Sequence, residues 1–317
     1  MLKKYWIYIV ISLTGMGIFW LIKSDTESSI IENNKFAIED TSLITKVFLA
    51  DRNGNTISLT KNKESWTVND KYAVRKDAIA TLLSTAKKIS IKKPVSKEAF
   101  ENAVKFIATT GVYVEFFEGD KIVKSYTIGS NTTDHLGTYM LLKGSEKPFV
   151  VHIPSFNGFL SPRYGIQANA LDVTTWRSTT VFNLSFEAIN QIKYTHYLNP
   201  ENSFFLRTNP MELMNSQNKS ISFNNDKILK LLNSFKNLNC ETFKKDKSKI
   251  DFATQIEELV VNSDTLRTYK ISETAVKTKE ENFTVDRKYA TLNNGELMLI
   301  QDYVFNKVLI NIAELTK

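Results

Sequence analysis

The sequence predicts an α+β chain: two tandem similar units of mostly antiparallel sheet with one packed helix each, preceded by one transmembrane helix. Three observations predict it. An uncharged apolar run opens the chain, and five features recur in the same order at an offset of about 145–150 positions. In each copy, strand-like alternation surrounds one amphipathic helical segment. The expected division is an anchor at 1–24, a tether at 25–35, a first α+β unit at 36–181 and a second at 182–317.

The anchor is read from Tyr5 to Ile22, 18 residues without a charge, flanked by Lys3 and Lys4 before and Lys23 after. Roughly 20 apolar residues cross the hydrocarbon layer, so the length fits. Tyr5, Trp6 and Trp20 lie near the two ends, where amphipathic rings favour the interface. A cleaved signal peptide would have a shorter apolar region and small residues at its end. The run ends instead in Phe19-Trp20-Leu21-Ile22, and no cysteine follows it closely, so an uncleaved anchor is the expectation. The lysine count favours a cytoplasmic N-terminus and a periplasmic body, single-pass in a bacterial inner membrane. Asp25 to Lys35 is polar and aperiodic and reads as a tether.

The repeat begins with a strand start, Ile44 to Val47 in one copy and Ile189 to Ile192 in the other. A turn and strand follow, Asp51 to Leu59 against Leu198 to Leu206. Next comes a helix: Ile79, Leu82, Leu83 and Ala86 match Ile228, Leu231, Leu232 and Phe235 at the spacing of a buried stripe. Asp77 and Asp226 precede these stripes, where a carboxylate suits the helix dipole. A strand pair then matches Val112–Phe117 and Ile122–Ile128 with Ile256–Val261 and Leu266–Ile271. A closing hairpin matches Gly137–Leu142 and Pro148–Ile153 with Lys288–Leu292 and Glu296–Ile300. Tight turns between strands favour antiparallel sheets.

Composition bounds the function classes. A chain of 317 residues holds about two domains. The net charge of +7 comes mostly from lysines interspersed with acids, which is a solvated surface and not a nucleic-acid footprint. The single cysteine, Cys240, closes an apolar segment and reads as a small buried hydrophobe.

No catalytic constellation, metal set or cofactor motif emerges. His135, His152 and His196 have no partner at ligand spacing, and Asp134-His135 reads as a hairpin turn. There is no phosphate-binding glycine loop and no nucleophile elbow. Paired carboxylates such as Glu257-Glu258 and Glu280-Glu281 read as solvated surface. The candidate partner-binding residues are Phe156, Phe159, Arg163 and Tyr164 on the Ser155–Tyr164 loop, with Trp176 and Arg177 at the junction of the copies. Aromatic and arginine side chains dominate interface energetics. The competing reading packs the loop as a plug and makes Trp176 and Arg177 a staple.

The stretch from Gly111 to Tyr164, the Trp66-Thr67-Val68 strand and the Trp176–Phe182 run resemble a bacterial family catalogued as a domain of unknown function, number 4340. The resemblance covers most of Ile44 to Leu309. It implies a membrane-anchored or exported protein with a repeated body, acting as an accessory near transport components, including ABC-type systems. The family supplies no catalytic residues. This chain lacks the lipobox cysteine of some members, which favours the apolar helix as tether. The expectation is a non-enzymatic, membrane-tethered accessory or scaffold of an envelope or transport complex. The alternative is a module binding envelope glycan or peptide, with a cleft lined by Trp176, Tyr164 and Arg163. A hydrolase is the third reading.

Overall fold

The computed structural model describes residues 35–244, 254–271 and 286–316. The expected membrane anchor lies outside the described residues, as does most of the tether. Among the described residues, no helix is long and apolar enough to cross a membrane. The chain divides into two compact units, Met1–Ser178 and Thr179–Lys317.

The first unit contains β1 (Lys46–Ala50), β2 (Thr56–Asn62), β3 (Ser65–Val68), β4 (Tyr72–Ala73), α1 (Lys76–Lys88), β5 (Ser90–Pro94), α2 (Lys97–Thr110), β6 (Val112–Glu118), β7 (Lys121–Asn131), β8 (Thr138–Leu142) and β9 (Phe149–His152). These strands form one nine-stranded sheet in the order β4-β3-β2-β1-β6-β7-β8-β9-β5, antiparallel throughout. A small ribbon follows, β10 (Ile166–Gln167) with β11 (Ala170–Leu171).

The second unit opens with β12 (Thr180–Phe182), β13 (Gln191–His196), β14 (Phe204–Thr208), β15 (Met211–Asn215), β16 (Ser220–Ile221), α3 (Asn225–Asn233), β17 (Leu238–Asn239) and β18 (Thr242–Lys244). It continues through β19 (Gln255–Val261), β20 (Asp264–Tyr269), β21 (Arg287–Leu292), β22 (Leu297–Gln301), α4 (Asp302–Phe305) and α5 (Ala313–Thr316). Its main sheet runs β16-β15-β14-β13-β19-β20-β21-β22-β18, the same order as the first sheet when strands are matched in chain sequence. β12 pairs with β17 inside this unit.

The fold class is thereby corrected. The described chain is dominated by two nine-stranded antiparallel sheets, where the sequence predicted a transmembrane helix followed by α+β units with one packed helix each. The error has a local cause. β4 and β16 are two residues long, and β5, SIKKP, carries lysines and a proline. Such strands suit sheet edges but have no apolar alternation to reveal them. The first unit also holds a second helix, α2, which buries only Ala103 and Ile107 and so has a thin stripe.

Alternation builds the cores. Val47 and Leu49 on β1 and Val112, Val114 and Phe116 on β6 share one sheet face. Ile79, Leu82 and Ala86 of α1 pack into that same cluster. In the second unit Ile192, Leu206, Leu259 and Val261 meet Ile228, Leu231 and Leu232 of α3. The α3 cap is Asn224, whose side chain accepts from the amides of Asp226 and Lys227. Asp226 sits two positions after the cap, in the first turn. Phe182 and Phe235 stack edge-on at 5.5 Å, and Cys240 is buried.

α2 approaches β7 at a glycine. A Cβ on Gly129 would stand 2.6 Å from Ile107 Cγ1 and 2.9 Å from the Tyr139 carbonyl oxygen. Gly129→Ala should therefore overpack this contact and destabilise the first unit by about 1–3 kcal/mol, read as a lower denaturant midpoint. An unchanged midpoint would mean that α2 does not hold this position.

Candidate functional site

The six residues singled out from the sequence all make contacts within the first unit. Tyr164 and Trp176 are fully buried members of its core. The Tyr164 and Tyr126 hydroxyls lie 2.7 Å apart, and their rings meet edge-on at 6.1 Å. Burial pushes both hydroxyls above the ordinary tyrosine range, so both stay protonated. Arg163 is half-buried; its Nε donates to Thr85 Oγ1 at 2.8 Å and its guanidinium covers the Phe156 ring at 4.9 Å. Phe159 is half-buried beside His135, at 6.2 Å between rings. Arg177 lies over the Tyr72 ring at 3.9 Å and bridges to Val74. The loop is thus largely committed to its own unit, and Tyr164 and Trp176 present no surface to a ligand.

The tyrosine pair makes a double test. Tyr164→Phe should cost about 1–3 kcal/mol, because it strands the Tyr126 hydroxyl in a dry core. Adding Tyr126→Phe should recover most of that loss in the same denaturation measurement. A double variant as unstable as the single one would show that the hydroxyls are not each other's main partners.

A second cluster separates the two units chemically. Their registers equate Val47–Phe116 with Ile192–Val261, and Ile128–Met140 with Thr268–Ala290. On this register the first unit's Leu49, Val112, Ile128 and Thr138 correspond to Tyr194, Glu257, Thr268 and Lys288. Hydrocarbon in one core becomes a polar network in the other. Glu257, only 4% exposed, accepts from the Tyr194 hydroxyl at 3.0 Å and the Thr268 hydroxyl at 2.7 Å. Lys288 Nζ donates to the same carboxylate at 3.2 Å and stands 3.5 Å from Asp302 Oδ1. Burial, and then the Glu257 charge, push the Tyr194 hydroxyl well above its usual range. It is therefore an O–H donor and not a nucleophile. His196 pairs with Glu257 across the strands, and its Nδ1 accepts from the Asn199 amide.

The network reaches the surface at one end of the sheet. β13 ends there and runs directly into Tyr197 and Leu198; β22 ends there and runs into α4, with Tyr303. Leu198 is 69% exposed and Tyr303 78%. The sequence reading of Glu257-Glu258 as solvated surface is half corrected. Adjacent strand residues point to opposite faces. Glu258 accordingly pairs with Arg267 at 2.9 Å, while Glu257 turns inward. The match of Val112–Phe117 with Ile256–Val261 in the sequence sets Ile256 against Val112, and only the strand register shows Glu257 at the position of the apolar Val112. Among the described residues, no group of three His, Cys, Asp or Glu side chains could hold a metal ion.

A protein-family comparison matches residues 66–255, from within β3 to the start of β19, and so spans parts of both units. Neither the curated proteins nor the solved structures contain a match. The match covers more than half of the chain and agrees with the resemblance seen in its motifs, so the protein belongs to the family described as the domain of unknown function DUF4340.

Proposed function

We propose that the protein is a non-enzymatic accessory component of an envelope or transport assembly, associated with a membrane through its apolar N-terminal run and docking on a partner protein. The observation that carries this reading is the divergence of the second unit from the first. Four positions that need only hydrocarbon or a hydroxyl in one copy hold Tyr194, Glu257, Thr268 and Lys288 in the other. A buried ionic network stabilises a fold weakly, so its presence in one copy alone favours a specific role at that sheet end. Exposed Tyr197, Leu198 and Tyr303 flank it. From β13 to β22 the sheet end spans about 19 Å at the usual strand spacing, which fits inside an interface of about 800 Å² per partner. Tyrosine is enriched among residues that dominate binding energy.

The test is site-specific photocrosslinking in full-length protein in native membranes. Probes at Leu198 and Tyr303 should yield one shared adduct, absent with a probe at Ser263 in the β19–β20 turn at the opposite sheet end. No adduct, or the same pattern from all three positions, would overturn the reading.

A further inference from the structure

The second unit contains a cleft of about 610 Å³ between α3 and the segment that follows α4. That volume lies in the range of small-ligand sites, about 300–1,000 Å³. Its charge is one-sided. Lys227 and Lys230 stand three apart on α3, hence on one helix face, and Lys307 faces them from the other wall. None of the three forms an ion pair among the described residues. Glu314 is the single carboxylate of the lining. Beneath the cations lie Leu231 and Leu315, both buried, with half-buried Ile310 between the cleft and the core. Lysine stems add further apolar lining while their ammonium groups stay at the rim.

We infer that this cleft binds a phosphodiester amphiphile, as in an anionic lipid headgroup with the first carbons of its tails. Lys227, Lys230 and Lys307 hold the phosphate, and Ile310, Ala313 and the lysine stems take the carbons above the buried Leu231 and Leu315. Charge alone would suit a bare anion, and the apolar floor alone a neutral tail. The two together in one cleft select a molecule that carries both. The inference stands apart from the docking reading, since the cleft and the polar sheet end share no residue.

The experiment is calorimetric titration of full-length protein in nonionic detergent with dihexanoyl phosphatidylglycerol, kept below its critical micelle concentration. Dihexanoyl phosphatidylcholine and inorganic phosphate are the comparison probes. The phosphatidylglycerol should bind at least about tenfold more tightly than either, and added salt should weaken it. The variant Lys227→Glu/Lys230→Glu/Lys307→Glu should lose about ten- to a hundredfold, three screened ion pairs of up to about 1 kcal/mol each. Lys193→Glu/Lys219→Glu/Lys236→Glu has the same net charge, lies outside the cleft, and should leave binding unchanged. Glu314→Gln should bind a few-fold more tightly, which keeps the test decisive if the triple variant misfolds. Equal binding of the two lipids would overturn the inference. So would phosphate binding as tightly as lipid, or equal losses in the two triple variants.

Discussion

Lys288→Met should destabilise the second unit by about 3 kcal/mol, the low end of the cost of breaking a buried ion pair from one side. The low end applies because the Lys288 side chain is 19% exposed, so some solvent already reaches it. The variant removes the cation from between Glu257 and Asp302. It leaves the Glu257 carboxylate, with 6% side-chain exposure, only the Tyr194 and Thr268 hydroxyls. The loss should appear as reduced amide-exchange protection across β19 and β20. The informative partner is a fourfold exchange to the first unit's residues: Tyr194→Leu, Glu257→Val, Thr268→Ile and Lys288→Thr. Replacing a buried ionic cluster with packed hydrocarbon is commonly neutral or stabilising by about 1–4 kcal/mol, and Asp302, the one charged member this exchange keeps, has a side chain 24% exposed to solvent. The fourfold variant should therefore be at least as protected as the parent, while losing the crosslinks from Leu198 and Tyr303. A Lys288→Met effect below about 0.5 kcal/mol, the level of an ordinary surface change, would rule out a coupled network. A fourfold variant less stable than Lys288→Met would show that the register equivalence does not extend to packing.

The second large effect is expected at Gly165. Its φ is +70°, and an added Cβ would stand 2.7 Å from three atoms of the Trp176 indole. Alanine there should cost about 1–2 kcal/mol for the left-handed backbone and about 1–3 kcal/mol more for overpacking. Trp176→Ala should cost about 3–5 kcal/mol, because the side chain is fully buried in the first core. Trp176→Phe should cost distinctly less. The indole Nε1 is buried without a hydrogen-bond partner, so the phenyl ring forfeits contact area but no bond. Gly165→Ala combined with Trp176→Phe should lose less than the two singles added, since the smaller ring relieves the clash. Tryptophan fluorescence reports these transitions selectively, as all four tryptophans precede Thr179. Strict additivity would show that the Gly165 requirement is conformational alone.

Much of the local structure was legible in the chain. The alternation of Val112 to Phe116 and of Ile256 to Val261 marks β6 and β19, and the stripes at Ile79 and Ile228 mark α1 and α3. Period and spacing are properties of neighbouring residues, so they survive without tertiary knowledge. Short edge strands were not legible. Two residues such as Tyr72-Ala73 become a strand only because β3 offers them partners. α2 was missed for a related reason: a stripe of Ala103 and Ile107 is recognisable as buried only once Gly129 is seen beneath it.

The candidate site divides in the same way. Aromatic and arginine content on the Ser155–Tyr164 loop marked residues that matter, but the sequence cannot say which way they face. Tyr164 and Trp176 turn into their own unit's core, where Tyr126 and Gly165 receive them. Glu257 gave the opposite result, reading as solvent-exposed beside Glu258 and proving buried. By itself the sequence determined the lysine-rich surface, the strand and helix positions that recur in both halves, and the family. The tertiary structure alone decided the sheet-dominated class, the burial of Tyr164 and Glu257, and the meeting of Lys227, Lys230 and Lys307 around one cleft. The physical reason is separation along the chain. Tyr194 and Glu257 are 63 residues apart, and strand pairing alone brings them within hydrogen-bond reach.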